Sequence, residues 1–405
     1  MVGEDEGGGE ALRESAVQRM RKEVSPLVGV VLILAALAAV QAFYWRGLTI
    51  EERMKPPESE GGGRGGAEAD RPRGRRDVVV ETVAGRGEAG DRDGAAMDAL
   101  FDGPAAIAVA RGGAVYVADS RNHAIRMISP GGRVSTVAGA PGMSGYADGL
   151  GAEARFSAPA GVAAGPGGSV FVADTGNHRL RRVGADGIVS TYAGAATPTD
   201  DLGSEVGGHR DGPAAQAQFR YPVGLAMEPS GSIYVADAGN GCVRRISRGG
   251  EVTTLPVEGD ESLQSPTEVC LTSDGRLWVA DTSGHRLWTG PKEGPLRPWP
   301  GDAAEAGEDF APAGIAAVGG ASGGERVYVA DSDGGCLWRI EGDRLRPVAG
   351  EQQAEDAFRD GRGDVARFKR PAGLAGGPAG RLYVADFGNE RIRRVRLPGA
   401  AKERD

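Results

Sequence analysis

The stretch that decides the fold is Val-Tyr-Val-Ala-Asp at residues 115–119. Close variants recur five more times, 44 to 63 residues apart, at 170–174, 233–237, 277–281, 327–331 and 382–386. Their β-branched and aromatic residues favour a β-strand. A repeat of this length is typical of solenoids and propellers.

Each copy lies inside a larger repeated unit. In the second unit Asp148, Phe156 and Pro159 precede the strand, and each has a counterpart 55 residues earlier. The pattern predicts four strands: a short one after the proline, the Val-Ala-Asp strand, an arginine-containing strand such as 180–183, and a fourth after a glycine turn. Four antiparallel strands repeated radially form propeller blades, and six units predict six of them.

The two ends of the repeated region predict how the ring closes. Residues 81–85, Glu-Thr-Val-Ala-Gly, match the fourth-strand motif at 136–139 but precede the first unit. The last unit stops at Val395, after its third strand. Residues 78–85 should therefore supply the outer strand of blade six, which removes an exposed sheet edge. The predicted fold is an all-β six-bladed propeller over residues 78–397.

An Asp-x-x-Asn or Asp-x-x-Gly turn follows the second strand of every unit. We expect the asparagine or glycine to adopt a left-handed conformation and the aspartate to cap the turn. Six copies of one carboxylate in one turn indicate a structural role, since a catalytic acid is usually singular. The structural turn residues are Asp119, Asp174, Asp237, Asp281, Asp331, Asp386, Asn122, Asn177, Asn240 and Asn389.

The units resemble NHL repeats. The segment from Gly145-Tyr-Ala-Asp-Gly149 to Asn177-His-Arg-Leu-Arg181 carries most of that pattern, and the resemblance covers 78 to about 397. Blades one, two, three and six match well, whereas blades four and five lack the Asp-Gly dipeptide. The resemblance implies a platform for protein or other ligands. Some relatives bind RNA, some are sensor domains outside bacterial membranes, and peptide-amidating lyases have a similar shape.

The chain before the propeller divides into three segments. A polar tail, 1–23, precedes 22 residues from Val24 to Trp45 without a charged side chain. As a helix these residues would span about 33 Å, enough to cross a bilayer. We predict a single transmembrane helix at 24–45, with a cleaved signal peptide ending near Ala42 as the alternative. A glycine-rich disordered linker, 46–77, follows, and 398–405 form a C-terminal tail.

The charges that flank the apolar segment are balanced, because four basic residues lie within 20 positions of each of its ends. The positive-inside rule therefore gives a tie. We expect a cytosolic N-terminus and a propeller on the lumenal or extracellular side.

Composition narrows the class of protein. Glycine contributes 68 of 405 residues, but 56 of these fall after residue 77, where the repeat is periodic, so disorder is rejected there. The net charge of −9 argues against nucleic-acid binding through bulk phosphate attraction. Three cysteines exclude a disulfide scaffold. We expect Cys242, Cys270 and Cys336 to be buried and inert.

Two sets of residues raise the question of catalysis. His123, His178 and His285 occupy equivalent slots and are candidate metal ligands, but glycine or glutamate fills that slot in the other blades, so no metal site is expected. Glu268 stands on the inner strand of blade four, where other blades have glycine or alanine, and is a candidate for chemistry in the central channel. A calcium site would need six to eight oxygens. Glu268 alone does not supply them.

The third strands carry pairs of arginines, such as Arg181 and Arg182. Alternation places one of each pair outward, and we expect them to pair with acidic residues of neighbouring blades rather than to bind RNA. The leading interpretation is a membrane-tethered, non-catalytic scaffold, without a cofactor, that binds another protein or a small ligand on a propeller face. Ligand identity would lie in variable loops, chiefly 195–210 and 318–325. The alternatives are a metal-dependent lyase or hydrolase using the channel and an RNA-binding NHL domain.

Overall fold

The computed structural model describes residues 75–398 except Leu202, Asp302, Glu308, 320–323 and 353–357. Within these residues 28 strands form six antiparallel sheets. The first strand in the chain is β1, Val79–Ala84. The predicted tail 1–23 and transmembrane helix 24–45 lie outside the described residues. Among those described, no helix has the length and apolar character needed to cross a membrane.

The next fifteen strands form blades one to three. Blade one contains β2 Gly94–Ala95, β3 Pro104–Val109, β4 Val115–Asp119, β5 Ala124–Ile128 and β6 Arg133–Ala138. Blade two contains β7 Gly149–Leu150, β8 Gly161–Ala164, β9 Val170–Asp174, β10 Arg179–Val183 and β11 Ile188–Ala193. Blade three contains β12 Gly212–Pro213, β13 Pro222–Met227, β14 Ile233–Asp237, β15 Cys242–Ile246 and β16 Glu251–Thr254.

The remaining strands form blades four to six. Blade four contains β17 Pro266–Leu271, β18 Arg276–Asp281, β19 Arg286–Pro291 and β20 Arg297–Pro298. Blade five contains β21 Pro312–Gly319, β22 Glu325–Asp331, β23 Cys336–Glu341 and β24 Arg344–Gly350. Blade six contains β25 Gly361–Arg362, β26 Pro371–Gly377, β27 Arg381–Asp386 and β28 Arg391–Arg396, completed by β1. Short 3₁₀ turns lie at Ser120–Asn122, Pro166–Gly168, Thr175–Asn177, Ala238–Asn240, Ala304–Ala306, Pro378–Gly380 and Phe387–Asn389.

The N-terminal strand closes the ring, as predicted. β1 pairs antiparallel with β28, with Val80 opposite Val395, and on its other side with β25. The innermost strands β3, β8, β13, β17, β21 and β26 contact one another in sequence, and β26 returns to β3. The first and last repeats are therefore joined by a shared sheet.

A fifth strand in four of the blades was not predicted. The glycine of the Asp-Gly dipeptide begins a two-residue strand that pairs with the fourth strand, as Gly149 does with Val189. It occurs in blades one, two, three and six, whose outer strands are β2, β7, β12 and β25. Blades four and five lack the dipeptide, and their described sheets have four strands.

The core lies between neighbouring blades. Ala106 and Ile125 of blade one pack with Val162 and Val172 of blade two, and Phe156 is fully buried in the same cluster. The aromatic residue of the Val-Ala-Asp strand packs in these layers. It is buried in blades two to six, whereas Tyr116 of blade one is partly buried. Both faces of each blade are covered by a neighbouring blade, so apolar residues lie on both faces of its sheet.

The start of the propeller lies slightly before residue 78. The guanidinium of Arg75 donates to the carbonyl of Gly350 and, at 3.2 Å, to that of Gly363. Arg76 forms an ion pair of 3.7 Å with Asp364. Both arginines belong to the predicted linker 46–77, so the C-terminal end of that segment contacts blades five and six.

Candidate functional site: the Asp-turn face

All six turns between second and third strands lie at one end of the propeller, which we call the Asp-turn face. Its chemistry is dominated by a buried arginine. In blade two Arg181, fully buried, places Nη1 2.7 Å from Asp174 and Nη2 2.5 Å from Asp148. It also donates to the carbonyls of Arg155 at 3.0 Å and Ala147 at 2.6 Å. We call this network the arginine clamp.

The clamp recurs in four blades. Each buried arginine joins the aspartate of the second strand to the aspartate of the Asp-Gly dipeptide and lies over a phenylalanine at 5.0–5.2 Å. The four arginines are Arg126, Arg181, Arg244 and Arg393. Both aspartates belong to the arginine's own blade, so the expectation that these arginines pair with neighbouring blades was wrong for the inward-facing member of each pair.

Blades four and five use tryptophan in the same slot. Trp288 Nε1 donates to Asp281 at 3.1 Å, and Trp338 Nε1 to Asp331 at 3.4 Å. Burial raises the pKa of the Asp331 carboxyl to about 6, and hydrogen bonds from the backbone N–H groups of Ala311 and Gly334 oppose the shift. The indole needs one acceptor rather than several, which fits the loss of the Asp-Gly dipeptide in these two blades.

The turn itself differs from the prediction in one position. The left-handed residue is the one after the asparagine or glycine, with φ of 51–64° at His123, His178, Gly241, His285, Gly335 and Glu390. The asparagine amide instead donates to the aspartate and to a carbonyl of the preceding loop, at 2.8 and 2.7 Å for Asn122. Where glycine replaces asparagine, its backbone N–H donates to the aspartate, at 3.0 Å in Gly334.

The three aligned histidines join neighbouring blades. Nδ1 of His123 accepts the N–H of Ala158, and Nδ1 of His178 accepts that of Tyr221, both at 3.0 Å. His285 Nδ1 lies 2.9 Å from the carbonyl oxygen of Phe310. The histidines lie in three different blades, one, two and four, and no group of three or more His, Cys, Asp or Glu able to hold a metal occurs among the described residues.

Glu390 fills the same slot in blade six. Its carboxylate accepts the N–H of Gly103 at 2.6 Å, which joins blade six to blade one. Arg121 of blade one lies 3.7 Å from the same carboxylate. The slot is therefore an inter-blade contact at the point where the ring closes.

Glu268 lies on inner strand β17, and its carboxyl is turned toward the seam with blade three. A β-carbon at Gly224 would lie only 2.5 Å from the Cα of Glu268, so glycine is needed where the inner strands meet. Glu268 is 9% exposed and accepts the N–H of Val269 at 3.2 Å and that of Leu225. The equivalent positions of other blades are glycine or alanine, so no second carboxylate joins it at this level.

Burial raises the pKa of Glu268 from its ordinary 4.5 to about 8. The folded state therefore binds this proton more tightly than the unfolded state, and stability falls as pH rises from about 4.5 to about 8. Glu268→Gln keeps an acceptor oxygen but removes the titration. We expect the difference in melting temperature, variant minus wild type, to increase between pH 5 and pH 8.5; a constant difference would contradict the assignment.

The three cysteines are buried free thiols. Burial raises the pKa of Cys242, Cys270 and Cys336 to about 12. A thiolate is the nucleophile and metal ligand, so these side chains are inert at neutral pH.

The insert 195–210 is a folded loop on the Asp-turn face. The N–H of Asp200 donates to the carbonyl of Ser204, and the N–H of Ser204 donates to the carboxylate of Asp200. Thr199 forms a β-bridge with Glu205. The Glu205 carboxylate binds Arg179 at 2.7 Å and the N–H of Thr197 at 3.1 Å. The insert thus presents an acidic tip, Asp200 and Asp201, above blade two. In the second predicted loop, 318–325, residues 320–323 lie outside the described residues.

Four segments of the chain match the model of the NHL repeat: 101–126, 156–182, 219–246 and 263–289. They fall in blades one to four. Blade four therefore matches despite lacking the Asp-Gly dipeptide, whereas blade six is not among the matched segments, contrary to expectation.

Curated relatives share parts of the propeller. The chain is 27% identical to NHL repeat-containing protein 2 of Bos taurus, over 56% of this chain and 36% of that protein. It is 30% identical to Protein SUPPRESSOR OF QUENCHING 1, chloroplastic, of Arabidopsis thaliana over 38% of this chain and 14% of that protein. It is 31% identical to Teneurin-3 of Danio rerio over 30% of this chain and 4% of that protein. The chain thus spans little more than a third, or less, of these relatives.

Solved structures share the fold at low identity. A streptogramin B lyase superimposes with a TM-score of 0.53 and 13% identity, covering 79% of this chain and 98% of that chain. An auxiliary nutrient binding protein of Bacteroides thetaiotaomicron superimposes with a TM-score of 0.57 and 15% identity, covering 79% of this chain and 76% of that chain. A gluconolactonase from Xanthomonas campestris superimposes with a TM-score of 0.52 and 13% identity, covering 79% of this chain and 90% of that chain.

Ring closure and blade topology define the class of protein as a six-bladed β-propeller. Four of its six blades contain segments that match the NHL repeat, so the chain is a six-bladed propeller with NHL repeats. The structural neighbours include enzymes and binding proteins, so the class alone leaves the activity open.

Proposed function

We propose that this chain is a non-catalytic binding or scaffold module, tethered to a membrane through residues 24–45, with its propeller on the lumenal or extracellular side. The binding role is supported by the contacts of the repeated polar residues. Clamp arginines, turn aspartates and slot histidines all bond within the propeller. What remains for a ligand is the non-repeating surface of the Asp-turn face.

One such element is the insert 195–210, which is held by contacts to blade two. Its tip residues Asp200, Asp201 and Ser204 are exposed, while Glu205 fixes its base. The occupant we propose is another protein or a small ligand. No cofactor is part of the proposal.

The competing function is an enzyme that uses the central channel. Such an enzyme needs non-repeating polar residues that converge from several blades. The described inner strands carry Glu268 at this level, with glycine or alanine opposite, and its carboxyl is held by backbone N–H groups of blades three and four. This arrangement favours binding over catalysis.

RNA binding through the third-strand arginines is also disfavoured. The inward members of each pair are fully buried in clamps. Of the outward members, Arg245 lies 3.2 Å from Glu293, Arg339 3.0 Å from Glu341 and Arg394 2.7 Å from Glu81. Carboxylates beside these guanidiniums reduce the positive potential that a phosphate backbone requires.

Proximity labelling with the full chain in its own cells tests the binding role. We expect replacement of Asp200, Asp201 and Ser204 by glycine to remove specific proteins from the labelled set. The matched control is Arg248→Gly with Glu251→Gly, in an exposed turn at the opposite end of blade three. An unchanged labelled set in the insert variant would contradict binding at this site. Hydrolysis of lactones by the purified chain, abolished in Glu268→Gln, would contradict the non-catalytic role.

The tether is tested separately by alkaline extraction of membranes. Retention of the full chain in the membrane pellet, and its loss when residues 24–45 are deleted, is the expected result. Release of the intact chain by alkali would overturn the membrane anchor without affecting the binding role.

A further inference from the structure

Blade six carries a row of arginines at the end remote from the Asp-turn face. Arg381 of β27 lies directly opposite Arg396 of β28, and Arg396 lies opposite Val79 of β1. Val79 in turn lies opposite Arg362 of β25. Residues directly opposite one another in antiparallel strands point to the same side of the sheet. Arg362, Arg381 and Arg396 therefore form one cross-strand row, which we call the arginine row.

The arginine row does not serve the stability of its own sheet. Like charges in directly opposite positions, such as Arg381 and Arg396, destabilise a pair of strands. The side chains of Arg362 and Arg396 are 56% and 52% exposed, so solvent reaches them. An exposed row of like charges that weakens the sheet indicates a ligand of opposite charge.

Arg362 and Arg396 share their carboxylates with other arginines. Glu81 lies 3.5 Å from Arg396 but only 2.7 Å from Arg394. Asp364 lies 3.2 Å from Arg362 and 3.7 Å from a further arginine, at position 76. With the exposed carboxylate at position 77 included, positive charges still outnumber negative ones here. This local excess contrasts with the net charge of −9 of the whole chain.

The predicted tether joins the propeller beside this row. Val79, the first residue of β1, is itself a member of the row. The row lies at the opposite end of β27 from Asp386, whose turn belongs to the Asp-turn face. Residues 46–74, which connect the predicted transmembrane helix to the described chain, span at most about 100 Å when fully extended. A bilayer that holds residues 24–45 is therefore within reach of the row.

We propose that the arginine row docks the propeller on the anionic headgroups of the membrane that holds residues 24–45. The proposal rests on the membrane tether proposed above. A guanidinium donates several N–H groups in a plane and so binds phosphate oxygens well. Because the tether makes docking an intramolecular event, weak contacts to headgroups are sufficient.

Docking through the row sets the orientation of the propeller. The Asp-turn face lies at the other end of the strands, so this face and the insert 195–210 point away from the bilayer. A partner of the insert then reaches its binding site without contacting the membrane.

Energy transfer to a lipid-linked acceptor, with the full chain in nanodiscs, tests this orientation. The three native cysteines are buried, so a maleimide dye labels an introduced cysteine selectively. Ala379→Cys places the dye in the exposed turn between β26 and β27, beside the row, and Ser283→Cys places it in an exposed turn of the Asp-turn face. With phosphatidylglycerol in the nanodisc, we expect greater transfer from position 379 than from position 283. With phosphatidylcholine alone, the two positions should be alike.

Charge variants measure the contribution of the row. Arg381→Gln combined with Arg396→Gln should lower the ratio of docked to undocked propeller about 25-fold, since each arginine at an anionic surface contributes about fivefold. The matched control is Arg220→Gln combined with Lys369→Gln. It removes the same charge from exposed side chains on the Asp-turn face and should leave docking unchanged.

Equal transfer from position 379 on neutral and anionic nanodiscs, or unchanged docking of the row variant, would overturn the proposal while leaving the tether intact. Because the row variant could misfold, a salt titration of the wild type gives a second measurement. In about 1 M NaCl, where the Debye length is about 3 Å, the lipid dependence should disappear, and its persistence would contradict docking by charge. Failure of the chain to insert into either nanodisc would overturn the tether and the docking together.

Discussion

Replacing Arg181 with alanine is expected to lower the free energy of unfolding by about 3–5 kcal/mol, the cost of breaking a buried ion pair from one side. The variant leaves the carboxylate of Asp174, which is fully buried, without its guanidinium. It also removes one of the donors to the carbonyls of Arg155 and Ala147, which keep only the backbone hydrogen bonds between these two residues. Denaturant unfolding followed by tryptophan fluorescence measures the change.

Two neighbouring substitutions control for nonspecific effects. Arg182→Ala removes an exposed arginine from the same strand and should change stability by less than about 0.5 kcal/mol. Asp148→Asn weakens the outer half of the clamp, where the carboxylate side chain is 45% exposed, and should fall between the two. If Arg181→Ala destabilises no more than Arg182→Ala, the clamp does not hold the blade.

Deleting residues 75–85 is expected to abolish cooperative unfolding and cause aggregation. The deletion removes β1, which pairs with both β28 and β25, and exposes the edges of those strands. It also removes Val78 and Val80 from the core that they share with Tyr328 and Leu337 of blade five. Light scattering and differential scanning calorimetry give the measurement.

Point variants distinguish the loss of the β1 contacts from the shortening of the chain. Val80→Asp places a charge at a position that is 1% exposed and should reproduce most of the deletion's effect. Glu81→Gln removes the ion pairs of Glu81 with Arg394 at 2.7 Å and with Arg396 at 3.5 Å and should cost less than about 1 kcal/mol. A cooperative melt of the deletion variant at the wild-type temperature would show that the ring does not depend on β1.

Much of the fold was predictable because propeller repeats display their register in sequence. The Val-Ala-Asp strands, the number of blades and the placement of residues 78–85 in blade six follow from aligned copies of one unit. The fifth strand was missed because two residues, Gly149 and Leu150, carry too little pattern to distinguish a strand from a turn.

The roles of individual polar residues could be predicted less fully from the sequence. Alternation along β10 indicated that Arg181 and Arg182 face opposite ways, but not which one is buried or where its partners lie. Asp148 lies 33 residues before Arg181, and its approach depends on the path of the loop between blades. The same holds for Glu390 and Gly103, 287 residues apart.

The sequence by itself determined the repeat, the strand order within each blade and the closing strand, since these depend on local propensity and on periodicity. Only the tertiary structure decided which carboxylates meet each arginine, which proton each slot histidine carries and where the Glu268 carboxyl points. Those properties depend on distances between groups far apart in the chain. Hydrogen bonding and burial act over a few ångströms, and the packing of one blade on the next determines the distances between these groups.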